Sequence, residues 1–361
     1  MTSPAQAPPV ASRAAALINR SSAACGAAVI RHGEIAWSAT RGGSRALLFQ
    51  AGSISKPVAA LAALELVARG AADLDADVND LLRSWRLPGA AGVTLRDLLG
   101  HTAGTGVPFL PGYPQGGDIP ELLQSLSGMA PATTAAVRAD EAMKGRFRYS
   151  GGGYAVVQQL IADLTGQPFA HAARELVLEP LGMTASTFEQ PLPSARQADA
   201  ARPDWHVYPE AAAAGLWSTP ADLARLICAV QAATAGRQLP SGLHSSAARL
   251  LVTPAAPLPR WGEWTVLPLL GVRPPDTFGL GMFLTGGAWI SHTGGAKSFF
   301  SMIAGSVSDG SGAVVMVADS SARLMFRLMT AISDEEGWNG FRLRGPARLM
   351  AAAAPRRRAR N

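Results

Sequence analysis

Residues 57–69 carry Ala, Leu and Val on nearly every side of a helical wheel, and Gly70 follows as a stop. That pattern predicts a helix buried all round, running through the centre of the protein. The chain ends read differently. Residues 27–31 and 34–38 are strand-like runs joined by His32 and Gly33, a hairpin signature, after a helix expected near residues 11–19. Strand character returns at 289–292, 299–304 and 313–318, and a helical stretch follows at 322–332. Between them, roughly 75 to 255, the signals are helix starts: Thr94 with Asp97, and Thr219 with Pro220 and Asp222, read as capping groups. Strands need partners and the middle offers few. One antiparallel sheet built from both chain ends is therefore expected, in an α/β (α+β) protein with a mainly helical insertion. The expected organisation is a single domain of two lobes: residues 25–74 and 256–341 form the sheet lobe, 75–255 the helical lobe, and 342–361 a basic tail. A cleft between the lobes is the natural place for a small-molecule site.

Composition narrows the picture. With 361 residues, 48% hydrophobic and 16% charged, the chain is neither disordered nor fibrous and needs no staples to build its core. The net charge of +6 is misleading as a guide to partners: seven Arg and no acid lie between Arg342 and the end, which leaves −1 for residues 1–341. A nucleic-acid groove on the folded part is not expected, and the tail reads as solvated. Cys25 and Cys228 stand far apart and read as free thiols. No run approaches the length of a membrane span, and the first twenty residues lack a basic start followed by an apolar stretch, so the expected location is the cytoplasm.

Candidate chemistry begins with the scarcity of lysine. Of 32 Lys plus Arg, only Lys56, Lys144 and Lys297 are lysine. Arg holds its proton at any useful pH, whereas a desolvated Lys can act as a base. Lys56 stands three residues after Ser53, at the entrance of the most apolar helix. That spacing puts hydroxyl and amine on one face, at a helix end that favours negative charge. Such a pair meets the needs of nucleophilic catalysis, although an N-capping Ser beside a snorkelling Lys accounts for the same spacing. A second element is Arg148-Tyr149-Ser150-Gly151-Gly152-Gly153-Tyr154, whose phenol, lowered in pKa by a nearby ammonium, could carry a proton. A packed Tyr beside a glycine turn is the plainer reading. The third is Ser291-His292-Thr293-Gly294-Gly295 at the end of an expected strand: an imidazole titrating near 6.5, a hydroxyl and backbone donors, or an ordinary turn.

In their order along the chain these three elements resemble the serine β-lactamase and penicillin-recognising superfamily, in the branch of class C β-lactamases, DD-peptidases and family VIII esterases. The resemblance also takes in Phe49 to Pro57, Leu98-Leu99-Gly100-His101-Thr102-Ala103-Gly104, Glu179-Pro180-Leu181-Gly182-Met183 and Gly215-Leu216-Trp217-Ser218-Thr219. It implies a β-lactamase/transpeptidase-like fold and a serine hydrolase working through an acyl-enzyme on Ser53. Lys56 is implied as the activating group, Tyr149 as proton shuttle, and His292, Thr293 and Gly294 as the third box. The backbone N–H groups of Ser53 and Gly295 become the implied oxyanion hole. Lys56 and Tyr149 are best treated as a coupled pair.

Departures from the family pattern bear on the substrate. Gly151 stands where an Asn often contacts the substrate side chain, Gly295 where a hydroxyl often helps bind a carboxylate, and His292 where Lys is usual. Each weakens recognition of an anionic amide, so a carboxylesterase on small esters is favoured over β-lactam or D-Ala-D-Ala cleavage, and the expected location agrees. Acyl transfer, β-lactamase or D-amino peptidase-type amide hydrolysis, and a non-catalytic ligand-binding role are the alternatives. No Gly-x-Ser-x-Gly elbow, His-Glu-x-x-His or phosphate loop is present, and neither metal nor cofactor is called for. His101 reads as a packed or turn-bonding residue. Trp217 and the 109–113 loop are expected either to line the acyl pocket or to pack in the core or a lid.

Overall fold

In a computed structural model, residues 12–41, 47–202, 204–239, 242–259 and 275–338, with Pro9, are described. The Arg-rich tail lies outside them.

The hairpin Ala24–Arg31 and Glu34–Thr40 does join the late strands. Ala24–Arg31 pairs antiparallel with Gly312–Ala318, Ala28 opposite Val314. Phe299–Ser306, Trp289–Ala296, Phe283–Thr285, Thr277–Phe278 and Ala256–Pro257 continue outward in that order, giving eight antiparallel strands. The last three are short strands that the hydrophobic pattern does not announce. Gly312–Ala318 is buried along its whole length because both sheet faces are covered. Val314 and Met316 enter the core shared with the helices, while Ala313, Val315 and Val317 enter a smaller one on the other face.

That second face is closed by the helices Arg13–Arg20 and Arg323–Glu335. Glu335 accepts from the backbone N–H of Arg13 at 2.6 Å and of Ala14 at 3.3 Å, and from the Ser12 hydroxyl at 3.0 Å. A carboxylate on one helix thus satisfies the unpaired N-terminal donors of the other.

The apolar helix is Ser55–Ala68, preceded by a 3-10 turn at Gly52–Ile54. Its last turn is closed by Gly70 at φ +74°, a conformation glycine adopts without penalty. Thr94 and Asp97 form a reciprocal capping box, and Thr219 caps the helix Pro220–Thr234 with Pro at its start. This last helix, placed by sequence in the helical lobe, lies against the sheet: Gln231 Nε2 donates to the carbonyls of Ser306 and Ser311, both at 2.9 Å. Its apolar stripe, rather than its place in the chain, decides which layer it joins. Among the described residues no helix is long and apolar enough to cross a membrane.

Candidate active site

Throughout residues 51–66 every position is buried except Ser53. Ser53 is half-buried, at the entrance of an otherwise dry helix. Gly52 makes the turn possible, with φ +55°, and any side chain there would bring its Cβ within 2.7 Å of Gly295 N. This close approach brings the backbone of Gly295 against the turn that carries Ser53. Gly294 faces the same turn, where a Cβ would collide with the Ala51 carbonyl. Ser301 Oγ donates to that carbonyl at 2.7 Å, and Ser55 Oγ donates to Gly52 O at 2.6 Å while accepting from Leu216 N at 2.9 Å. The turn is held from three sides.

Lys56 is 2% exposed, and its Nζ donates to Ser53 Oγ at 3.1 Å and to the Ala213 carbonyl at 2.8 Å. The ammonium also lies 4.9 Å from the ring centroid of Tyr149 and 5.8 Å from that of Tyr154. Among the described residues no carboxylate offsets its burial, which pulls its pKa down from 10.5 to about 7. At neutral pH a large share of Lys56 is a free amine. The other two lysines serve elsewhere: Lys144 donates to the carbonyls of Ala91 and Gly92, and Lys297 binds Tyr208 Oη through its backbone N–H.

Tyr149 is hydrogen-bonded to Ser53. Its pKa moves opposite to the sequence expectation: burial raises it, the bond to Ser53 offsets this only in part, and no lowering by Lys56 results. The phenol is therefore the resting form, suited to pass a proton on and unsuited to hold a negative charge.

His292 is buried, and its Nδ1 donates to the Thr293 carbonyl at 2.8 Å, which leaves Nε2 as an acceptor without a partner among the described residues. Burial, reinforced by Lys56, lowers its pKa to about 3. The expected titration near neutrality is thus overturned: the imidazole is neutral across the working range, and Lys56 titrates there instead. Pleating places Thr293 and Gly295 on the opposite side of the strand from His292 and Gly294. The contact seen for Thr293 is through its carbonyl, which fixes the His292 tautomer.

The expected substrate contact at Gly151 is corrected, and for Trp217 the core alternative is the one observed. Gly151 is buried beneath Leu110, and its N–H is taken by the Pro108 carbonyl at 3.2 Å, so it seats a loop. Trp217 is 0% exposed and packs edge-on against Trp205 and Phe299 at 5.4 and 5.8 Å, a core position. Within the 109–113 loop, Phe109 is 67% exposed with its ring 6.5 Å from Tyr149, whereas Tyr113 is buried. Sequence reasoning missed Tyr154 and the Ala213 carbonyl as neighbours of Lys56. The first was signalled by its place in the glycine run; a backbone acceptor leaves no mark in a sequence.

The beta-lactamase family model matches residues 12–331. The chain belongs to the beta-lactamase family of serine hydrolases. It is similar to esterase EstB of Burkholderia gladioli, 35% identical over 188 residues; the match takes in 44% of this chain and 45% of that protein, less than half of its length. Among solved structures, D-amino acid amidase of Ochrobactrum anthropi SV3 superposes with a TM-score of 0.66 at 19% identity, covering 90% of this chain and 98% of that one. The octameric penicillin-binding protein homologue of Pyrococcus abyssi gives 0.63 at 19% identity, covering 88% and 74%. At such identities these two establish the fold alone, the β-lactamase/transpeptidase-like fold expected from the three boxes.

Proposed function

We propose that the protein is a carboxylesterase acting on small, uncharged esters through an acyl-enzyme on Ser53. The observation that carries this reading is the 3.1 Å contact between Lys56 Nζ and the Oγ of half-buried Ser53, with the amine's pKa at about 7. Neutral Lys56 takes the Ser53 proton as Oγ attacks the ester carbonyl. Backbone N–H groups of Ser53 and Gly295 receive the developing oxyanion. As the tetrahedral adduct collapses, the C–O bond to the alcohol breaks and the proton held on Lys56 passes through the Tyr149 hydroxyl to the departing oxygen. Water then attacks the acyl-enzyme, gives its proton to the amine by the same route, and releases the acid as Ser53 recovers its hydrogen.

Charge supports the choice of substrate. His292 is neutral, and Lys56 loses its charge above pH 7, so the interior offers a substrate carboxylate no permanent cation. The likeness to an esterase points the same way.

Intact-mass analysis after a fluorophosphonate tests the nucleophile: one adduct is expected on the wild type and none on Ser53→Ala. An adduct that persists in Ser53→Ala removes Ser53 from the reaction. Turnover of p-nitrophenyl acetate and butyrate, with no turnover of nitrocefin, is expected in parallel; the reverse pattern rejects ester hydrolysis.

A further inference from the structure

His101 belongs to none of the steps above, yet it surrounds the residue that carries the proton. Its imidazole is 1% exposed and lies 4.4 Å from the Tyr149 ring, 4.8 Å from Phe278 and 5.2 Å from Tyr154, centroid to centroid. Packing alone would be served by any flat ring. The hydrogen bonds ask for more. The His101 carbonyl accepts from Arg148 N at 2.8 Å, and the His101 Nδ1 accepts from Ser150 N at 3.2 Å. Both backbone neighbours of Tyr149 are thus tied to one residue, while its ring is pressed on the side by the same imidazole.

The second bond has a consequence for tautomer. A backbone N–H can only donate, so Nδ1 must be unprotonated and the neutral ring carries its hydrogen on Nε2. The Ser150 side chain is occupied separately as the helix cap: Oγ accepts from Gly153 N at 2.9 Å and donates to Gly106 O at 2.5 Å, while the N–H of Ser150 bonds to His101. The residue at 101 must also adopt φ +59°, which excludes most side chains and is tolerated best by Gly, Asn, Asp and His. An acceptor one bond beyond Cγ, on a backbone of this hand, is met by few residue types.

We infer that His101 is a positioning residue for Tyr149, holding the phenol against Ser53 by fixing the backbone on both sides of it. This rests on the reading of Tyr149 as the proton carrier. Removing the acceptor leaves the Ser150 N–H buried and unpaired, and the segment 148–150 relaxes to find another partner. The phenol then leaves the line between Ser53 and the leaving group. Substrate binding is untouched, so the loss falls on kcat.

The test is a double-mutant cycle between residues 101 and 149, with p-nitrophenyl acetate as substrate and the active fraction of each protein counted by fluorophosphonate labelling. His101→Phe keeps a ring and removes the acceptor; it is expected to lower kcat about 30-fold, equivalent to about 2 kcal/mol, with KM within about twofold. His101→Asn, whose Oδ1 can accept from Ser150, is expected to retain kcat within about threefold of the wild type. In a Tyr149→Phe background, His101→Phe is expected to cost nothing more. A 30-fold loss that persists in that background, a His101→Asn as poor as His101→Phe, or a His101→Phe with wild-type kcat each overturns the proposal. Where His101→Phe does not fold, His101→Ala takes its place in the cycle. Wild-type kcat in Tyr149→Phe alone would instead show that the proton carrier was misassigned, and this proposal falls with it.

Discussion

Under the proposed mechanism, the pH dependence of Ser53 acylation follows from a single titration. The titratable rings nearest Lys56 are held in their neutral forms: burial lowers His101 and His292 from the ordinary imidazole value, and raises Tyr149 and Tyr154 from the ordinary phenol value. Lys56 alone changes state, at about pH 7. The fall from 10.5 to about 7 corresponds to roughly 5 kcal/mol of lost preference for the ammonium. The neutral fraction is then roughly 9% at pH 6 and 91% at pH 8, so the acylation rate should rise about tenfold over these two units and level off above. A lysine titrating at its ordinary value would instead give a hundredfold rise with no plateau. The measurement is the rate of fluorophosphonate labelling, quenched at intervals and read by intact mass. This avoids the ionisation of p-nitrophenol in the same range. A flat profile, or a rise that continues unbroken through pH 9, refutes the assignment of the base.

Three further outcomes follow from the same geometry. In Lys56→Met, labelling is expected to vanish while Tm rises by several degrees at pH 7, since the folded state no longer holds an uncompensated ammonium. Because the folded pKa of Lys56 lies below the unfolded one, wild-type stability should climb between pH 7 and 10.5 and the advantage of Lys56→Met should shrink over that window; a Tm difference independent of pH contradicts this. His292→Lys places a second cation near Lys56 and should move the labelling inflection down by about one unit or more, while raising kcat/KM for a carboxylate-bearing ester relative to its neutral analogue; unchanged selectivity in competition assays opposes the charge argument. Gly294→Ala drives a methyl group into the Ala51 carbonyl and should abolish ester turnover with a loss of several kcal/mol in denaturant unfolding, whereas an active, stable variant shows that the turn carrying Ser53 can move.

Much of this molecule was legible before folding because some of its signals are local. The all-apolar helix, the hairpin around His32 and Gly33, and the caps at Thr94 and Thr219 depend on residues within one or two turns of each other, and they stand where the spacing put them. Ser53 and Lys56 are also local, three residues apart on one helix entrance, so their contact follows from helical geometry alone. Sheet pairing between the chain ends followed from the lack of other partners. The short strands between 256 and 285 were not legible, since two or three residues carry no period and are recruited by an edge already formed.

What lay beyond the sequence was environment. The same Trp217 could line a pocket or fill a core, and only its enclosure by Trp205 and Phe299 decided for the core. Gly151 reads as an open backbone until Leu110 and Pro108 cover it. The charges of the site belong to this class as well: a histidine near 6.5 and a phenol eased by an ammonium are chemical types, and removal of water around both reversed the expectation for each. The sequence chose which groups are present and which neighbours along the helix can meet. Tertiary packing decided how dry each group is, and the cost of charge in a dry interior is what lowers the pKa of Lys56, keeps His292 neutral and leaves Tyr149 its proton.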